Sequence, residues 1–308
     1  MQEKIFLGDE LTRIWNKVLA GENFALIRSA DGEKGLMDAR TFTAQEGWKS
    51  PKTRTKLAEA LEEILTIDSP NFIFGISCPC CDVSGYKWYM EKVKSRNVTF
   101  SNIWGNSNYQ RFIKGFRELK RDAIVIANHR AEGKPIGQLN VLDYYCVSDD
   151  CVAFWEQEAE AMIQKIIREH GHQNDLLYVV SIGPMSGPVI ARLFQNNPNN
   201  CYLDFGSSVD SFYWEKVTRP YMKPETEYAK QECWMFDPKS EHLKENLNSL
   251  KTNALVEEGL LYKMTRKYKF RTSKFYQVLQ TVKILPQLTA RKIFGDANIE
   301  KLKSKLKK

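Results

Sequence analysis

No stretch of the chain is apolar over the length that a bilayer-spanning helix needs, which argues against a membrane-crossing protein. Residues 1–20 are charged and amphipathic and lack the apolar run of a secretory signal. The seven cysteines, Cys78, Cys80, Cys81, Cys146, Cys151, Cys201 and Cys233, are odd in number and scattered, unlike a disulfide framework. These absences together predict a cytoplasmic, reducing location. No internal repeat is present, so a solenoid or propeller is excluded. Neither a G-x-G-x-x-G dinucleotide fingerprint nor a Walker A loop occurs.

What is present is ample material for a core. The 308 residues are 43% hydrophobic and 12% aromatic, enough for one large α/β domain with an appendage. The net charge of +7 is an average over two unlike parts. Residues 263–308 carry 14 Lys and Arg against Asp296 and Glu300, which leaves 31 basic and 36 acidic side chains elsewhere. A mildly acidic globule with a basic tail is not a nucleic-acid-binding core, so no nucleic-acid partner is expected.

Leu11, Ile14, Trp15, Val18 and Leu19 have the spacing of an amphipathic helix that ends at Gly21. A second helix is marked by Leu57, Leu61, Ile64 and Leu65, and others are predicted at 107–119 and 186–194. A further stripe, Trp155, Ala159, Met162, Ile163 and Ile166, has Asp149 or Asp150 as cap and Gly171 as stop. Between these lie apolar strands at 24–27, 72–76, 97–103, 124–127, 176–182 and 201–205. The alternation predicts a Rossmann-like α/β fold, a mostly parallel sheet with helices on both faces. The catalytic domain is expected at 1–237. From about Pro238 a helical, increasingly basic extension is expected at 238–308.

Ligands of such sheets collect beyond the carboxyl ends of the strands. Arg28-Ser29-Ala30-Asp31-Gly32-Glu33 follows the first strand and sets two carboxylates on a tight turn. Asp31 and Glu33 suit a hard divalent cation, Mg²⁺ or Mn²⁺, and Arg28 suits a phosphate. A solvated turn, with Asp31 capping a helix and Glu33 complementing its dipole, uses the same residues. Gly183, Pro184, Ser186 and Gly187 follow the strongest strand, where small residues let amides approach a diphosphate. The plain alternative is a strand-to-helix turn capped by Ser186.

At the next strand end, Asp204 and Asp210 are candidates for contact with sugar hydroxyls or for removal of an acceptor proton. Arg219, followed by Tyr221, adds a cation and an aromatic face.

Taken in order, three blocks resemble the GT-D-type glycosyltransferases, a bacterial family of surface-glycan and glycoprotein assembly. They are Ala25-Leu26-Ile27-Arg28-Ser29-Ala30-Asp31-Gly32-Glu33, Val180-Ser181-Ile182-Gly183-Pro184 and Leu203-Asp204-Phe205-Gly206. The similarity spans about residues 8–221. It implies a Rossmann-like fold, a divalent metal at the D-x-E carboxylates Asp31 and Glu33, and a UDP-sugar donor near Gly183 and Pro184. The chain departs from the family at Ala30, where many members have Gly. It departs again at Ser207-Ser208-Val209-Asp210, where a His is usual. Rival classes are a methyltransferase using S-adenosylmethionine and a non-catalytic scaffold.

Cys78-Pro79-Cys80-Cys81 has the look of metal ligands, but no second cysteine pair follows at zinc-ribbon spacing, so a thiol cluster is expected. Glu169-His170-Gly171-His172 is expected to serve a helix end. His129 is expected to make a structural hydrogen bond in a loop. The basic, aromatic tail at 262–308 suits adsorption to an anionic membrane surface, at the inner face of the plasma membrane. There it would meet a glycan or lipid-linked acceptor.

Overall fold

The computed structural model describes residues 3–43, 48–51, 53–214 and 217–250. All but the last of the described residues fall in one compact unit, Met1–Ser249. The basic tail and its proposed membrane contact lie outside the described residues. Among the described residues no helix is long and apolar enough to cross a membrane.

In chain order the elements are β1 (Lys4–Phe6), α1 (Leu7–Leu19), β2 (Ala25–Arg28), α2 (Asp31–Met37), α3 (Lys56–Ile64), β3 (Phe72–Ile76) and α4 (Val83–Lys92). Then come β4 (Val98–Phe100), α5 (Tyr109–Glu118), β5 (Asp122–Asn128), β6 (Asn140–Val147), α6 (Cys151–Gln157) and α7 (Ala159–His170). The unit finishes with β7 (Leu177–Ser181), α8 (Ser186–Asn196), β8 (Cys201–Asp204), α9 (Glu227–Lys230), β9 (Trp234–Phe236) and α10 (Leu243–Ser249). Seven strands form a parallel sheet in the order β4-β3-β2-β8-β7-β5-β6, and β1 pairs antiparallel with β9 in a separate ribbon.

The α/β expectation is met, and the reason is burial. Every residue of β3, β7 and β8 is buried, so these strands read as unbroken apolar runs. Helix α1 sinks Leu11, Ile14 and Val18 on one side, as its spacing requires. Asp150 caps α6 by accepting from the Ala153 amide at 3.1 Å, but the helix is interrupted at Glu158 and restarts as α7. Strand β6 escaped the sequence pattern because it is an edge strand, half-exposed along most of its length. The three-residue strands β1 and β9 are too short to show a period.

Register shows which helices share a face. Arg28, Gly75 and Thr99 stand opposite one another on β2, β3 and β4, so the Arg28 and Thr99 side chains share one face of the sheet. On that face Thr99 donates its hydroxyl to Glu10 of α1 at 2.8 Å. Ile27, one residue earlier and so on the opposite face, meets Gly187 of α8. Helices therefore cover both faces. The α1 side holds an aromatic cluster in which Trp104 packs against Trp15, Phe112 and Phe205 at 5.0–6.3 Å between ring centres. The Trp104 indole donates to the main-chain carbonyl of Asp204 at 2.9 Å, and so ties this cluster to the end of β8.

Candidate active site

The carboxyl ends of β2, β5, β6, β7 and β8 open into one cleft of about 650 Å³. Strand β5 leads outward to β6, whereas β7, its other neighbour, leads inward to β8. Loops diverging from adjacent strands leave a crevice, the usual seat of a ligand in such sheets. Of the residues singled out in the sequence, Arg28, Asp31, Glu33, Gly183, Pro184, Asp204, Asp210 and Arg219 all line this cleft.

Asp31 and Glu33 sit in the first turn of α2. Asp31 is exposed to the cleft and accepts no hydrogen bond among the described residues. Glu33 reaches back and accepts from the Ala30 amide at 2.8 Å through one carboxylate oxygen. The capping role and the cleft-facing position are thus compatible, because a carboxylate has lone pairs to spare. Burial pushes the Glu33 carboxyl up to about 7; the Ala30 amide opposes that rise, and the neighbouring charges of Asp204 and Asp31 add to it. Asp31 and Glu33 are the carboxylates of α2 that a hard divalent cation in this cleft would meet as oxygen donors.

Arg28 does not reach freely into the cleft. Its guanidinium donates to the Ser101 carbonyl at 2.9 Å and lies 3.5 Å from Asp204. The backbone gives it passage. A Cβ on Gly75 would press on the Arg28 side chain at 3.2 Å and on carbonyl oxygens at 2.9–3.0 Å, and a Cβ on Gly206 would sit 1.8 Å from an Arg28 nitrogen. Gly206 also has φ +47, a left-handed conformation that favours glycine. Asp204 is 3% exposed and accepts from the Arg28 amide at 3.2 Å and the Gly206 amide at 3.0 Å. Burial raises the Asp204 carboxyl above its ordinary value, and the Arg28 charge works against that.

The turn after β7 divides in two. Gly183 (φ +63) and Pro184 face the cleft, whereas Ser186 is fully buried and Gly187 is buried against the core. Ser186 neither caps α8 nor lines the cleft; its hydroxyl accepts from the Ile182 amide at 3.3 Å. A Cβ on Gly187 would meet Ile64 at 2.8 Å, so its smallness serves close helix packing. The phosphate role expected of these two residues is therefore corrected: they support the turn from beneath.

Asp210 lies in a 3₁₀ segment, Gly206–Phe212, at the mouth of β8. The Tyr213 hydroxyl donates to Asp210 at 3.1 Å and lies 2.8 Å from the Ser181 hydroxyl, which donates to the Gly206 carbonyl at 2.8 Å. Burial drives the Tyr213 phenol well above its usual range, with the Asp210 charge adding to it, so the ring stays protonated. On the other wall, burial lowers the Arg219 guanidinium from its usual value.

Several lining residues were not anticipated. Trp48 comes from the long α2–α3 loop and packs edge-on against Phe42 at 5.2 Å. Trp214 forms another wall, with the Arg130 guanidinium 4.7 Å from its ring centre. Asn128 bonds Asp149 at 2.8 Å across the ends of β5 and β6. The available sequence signal was large aromatics in polar, non-periodic segments. His129 is exposed, opens a short 3₁₀ turn and does not line the cleft. His170 stands 3.4 Å from Asp143 at the sheet edge.

No family model and no curated relative matches the chain. Solved structures align with it at low identity. One, from work on a highly conserved domain of unknown function 1792 with a distinct glycosyltransferase fold, is 14% identical, covers 67% of this chain and 78% of that one, and has a TM-score of 0.47. Another, a new glycosyltransferase (DUF1792) from Streptococcus sanguinis, is 14% identical, covers 68% and 82%, and has a TM-score of 0.48.

Proposed function

We propose that this chain is a metal-dependent glycosyltransferase that moves a sugar from a nucleotide-sugar, a UDP-sugar, to a glycan or lipid-linked acceptor of surface-polysaccharide or glycoprotein assembly. One observation carries the reading: Asp31 and Glu33 share a cleft with the Gly183-Pro184 turn and Asp210. The cleft volume, about 650 Å³, suits a ligand of nucleotide-sugar size.

A divalent cation, Mn²⁺ or Mg²⁺, held by Asp31 and Glu33 would neutralise the donor diphosphate and stabilise the departing nucleoside diphosphate. The chain's own groups do the rest. The Gly183 end of the 183–184 turn and the Arg219 cation face the diphosphate, and Trp48 and Trp214 offer aromatic faces to the base or sugar. Asp204 acts as a positioning residue, because its oxygens already accept from Arg28 and Gly206. Asp210 is the better candidate to take the acceptor proton, and the Tyr213 hydroxyl orients it.

The test is a donor-hydrolysis and transfer screen across nucleotide-sugars with full-length protein, with Mn²⁺ and with EDTA. Expected are turnover that EDTA stops, and its loss in Asp31→Ala and Glu33→Ala with the melting transition preserved. Full activity in either variant, or thermal stabilisation by S-adenosylmethionine with none by UDP plus Mn²⁺, overturns the assignment.

A further inference from the structure

The run Cys78-Pro79-Cys80-Cys81 offers three thiols after β3, with no second pair later in the sequence. The fold supplies what spacing could not. Strand β9 lies against this turn, its Trp234 amide 3.3 Å from the Cys80 sulfur and its Phe236 amide donating to Tyr86 at 3.1 Å, and so brings Cys233, the residue before it, to the same place. The sulfurs of Cys78, Cys80 and Cys233 all lie within 4.8 Å of one another, and the Cys81 sulfur is 3.8 Å from that of Cys233. All four are free thiols.

We propose that Cys78, Cys80, Cys81 and Cys233 form a tetrathiolate site for one zinc ion, separate from the cleft, that clips the β1/β9 ribbon to the loops seating Arg28.

The spacing argues for a single ion. A tetrahedral ion with metal–sulfur bonds of about 2.3 Å holds its sulfurs about 3.8 Å apart, the distance already found between Cys81 and Cys233. An iron–sulfur cluster interposes several atoms and would hold its cysteines farther apart. Three soft sulfurs within 4.8 Å of one another, with the Cys81 sulfur beside that of Cys233, select zinc over the hard cations that Asp31 and Glu33 suit.

The surroundings are those of a thiolate site. Four thiolates around a doubly charged ion leave net negative charge, which needs N–H donors. They are in place: the Trp234 amide lies 3.3 Å from the Cys80 sulfur, and the Asn102 and Asn106 side-chain amides point to the Cys233 sulfur at 3.4 and 3.5 Å. As each metal–sulfur bond forms, the thiol gives its proton to solvent, so binding strengthens with pH. Asn102 also follows Ser101, whose carbonyl anchors Arg28. The clip therefore bears on the cleft by holding this loop.

The experiment uses full-length protein purified under reducing conditions, with zinc measured by mass spectrometry of the metal. One zinc per chain is expected, retained in Asp31→Ala and lost in Cys78→Ser and Cys233→Ser. Asn102→Ala should weaken zinc affinity about tenfold in a chelator competition. Because a cysteine variant can fail for lack of folding, wild-type protein stripped of metal is also titrated with Co²⁺. Saturation at one equivalent, with thiolate-to-cobalt charge-transfer and intense tetrahedral d–d bands, supports the site. No zinc after purification together with no cobalt spectrum overturns it, as does a disulfide between any two of the four cysteines in native protein. Retention of Zn²⁺ by both cysteine variants overturns it as well.

Discussion

The Arg28 guanidinium occupies the space that a side chain on Gly206 would need: a Cβ there would fall 1.8 Å from an Arg28 nitrogen. Gly206→Ala must therefore displace Arg28 from Asp204 and force a left-handed backbone on alanine. We expect a stability loss of about 1–2 kcal/mol from the backbone alone and a fall in transfer of about 100-fold from misplacement at the strand end. Thermal melts with steady-state kinetics check both. Near-normal kcat would show that Arg28 is not needed where it stands.

Glu33 gives a pH dependence whose sign follows from its raised carboxyl. Unfolded, the group ionises near 4.5; folded, at about 7. The folded protein holds the proton more tightly, so this group's favourable contribution is full below 4.5 and is lost as pH rises towards 7. In metal-free protein, Glu33→Gln keeps an oxygen for the Ala30 amide and removes the buried charge. It should raise the melting temperature at pH 8 by a few degrees, on the order of 2–4 °C per kcal/mol, and change it little at pH 4.5. Equal effects at both pH values would refute the electrostatic account. Cation binding to the wild type should strengthen from pH 6 to 8.

The two glycines of the β7–α8 turn should respond differently. Gly187→Ala drives a methyl towards Ile64 at 2.8 Å, so it should lower stability by about 1–3 kcal/mol while KM for the donor stays unchanged. At Gly183 a Cβ would find ordinary room beside Cys151 and Trp48, but φ is +63. Gly183→Ala strains the turn that faces the ligand and should raise KM for the donor. A KM effect at position 187 and none at 183 would reverse the assignment.

Tyr213→Phe removes the one hydroxyl that links Asp210 with Ser181. Losing a donor to a buried carboxylate costs about 1–3 kcal/mol and raises the Asp210 carboxyl. The acid limb of the kcat profile should move to higher pH, with KM for the donor little changed. An unshifted limb would exclude Asp210 as the base.

The sheet was legible because β2, β3, β5, β7 and β8 are buried and so spell apolar runs, and because Asp31, Glu33 and Gly183 follow such runs directly. Less was visible where one feature serves two ends. Glycine marks both a turn that faces a ligand and a close helix contact, so 183 and 187 looked alike until Ile64 was placed. The contact of Arg28 with Asp204 was not legible, because Gly75, far along the chain, gives no local hint of making room for the Arg28 side chain. Cys233 could not be joined to Cys78 from spacing alone, since they meet only where β9 packs on the Cys80 turn and on Tyr86 of α4.

The indole of Trp104 holds the backbone carbonyl of Asp204 from the aromatic cluster, while Arg28 holds its carboxylate. Damage to that cluster, at Phe112 for example, would cost about 3–5 kcal/mol of stability and would loosen the end of β8 along with the fold. A genetic screen for inactive alleles should accordingly return substitutions from beneath the sheet that touch no substrate at all.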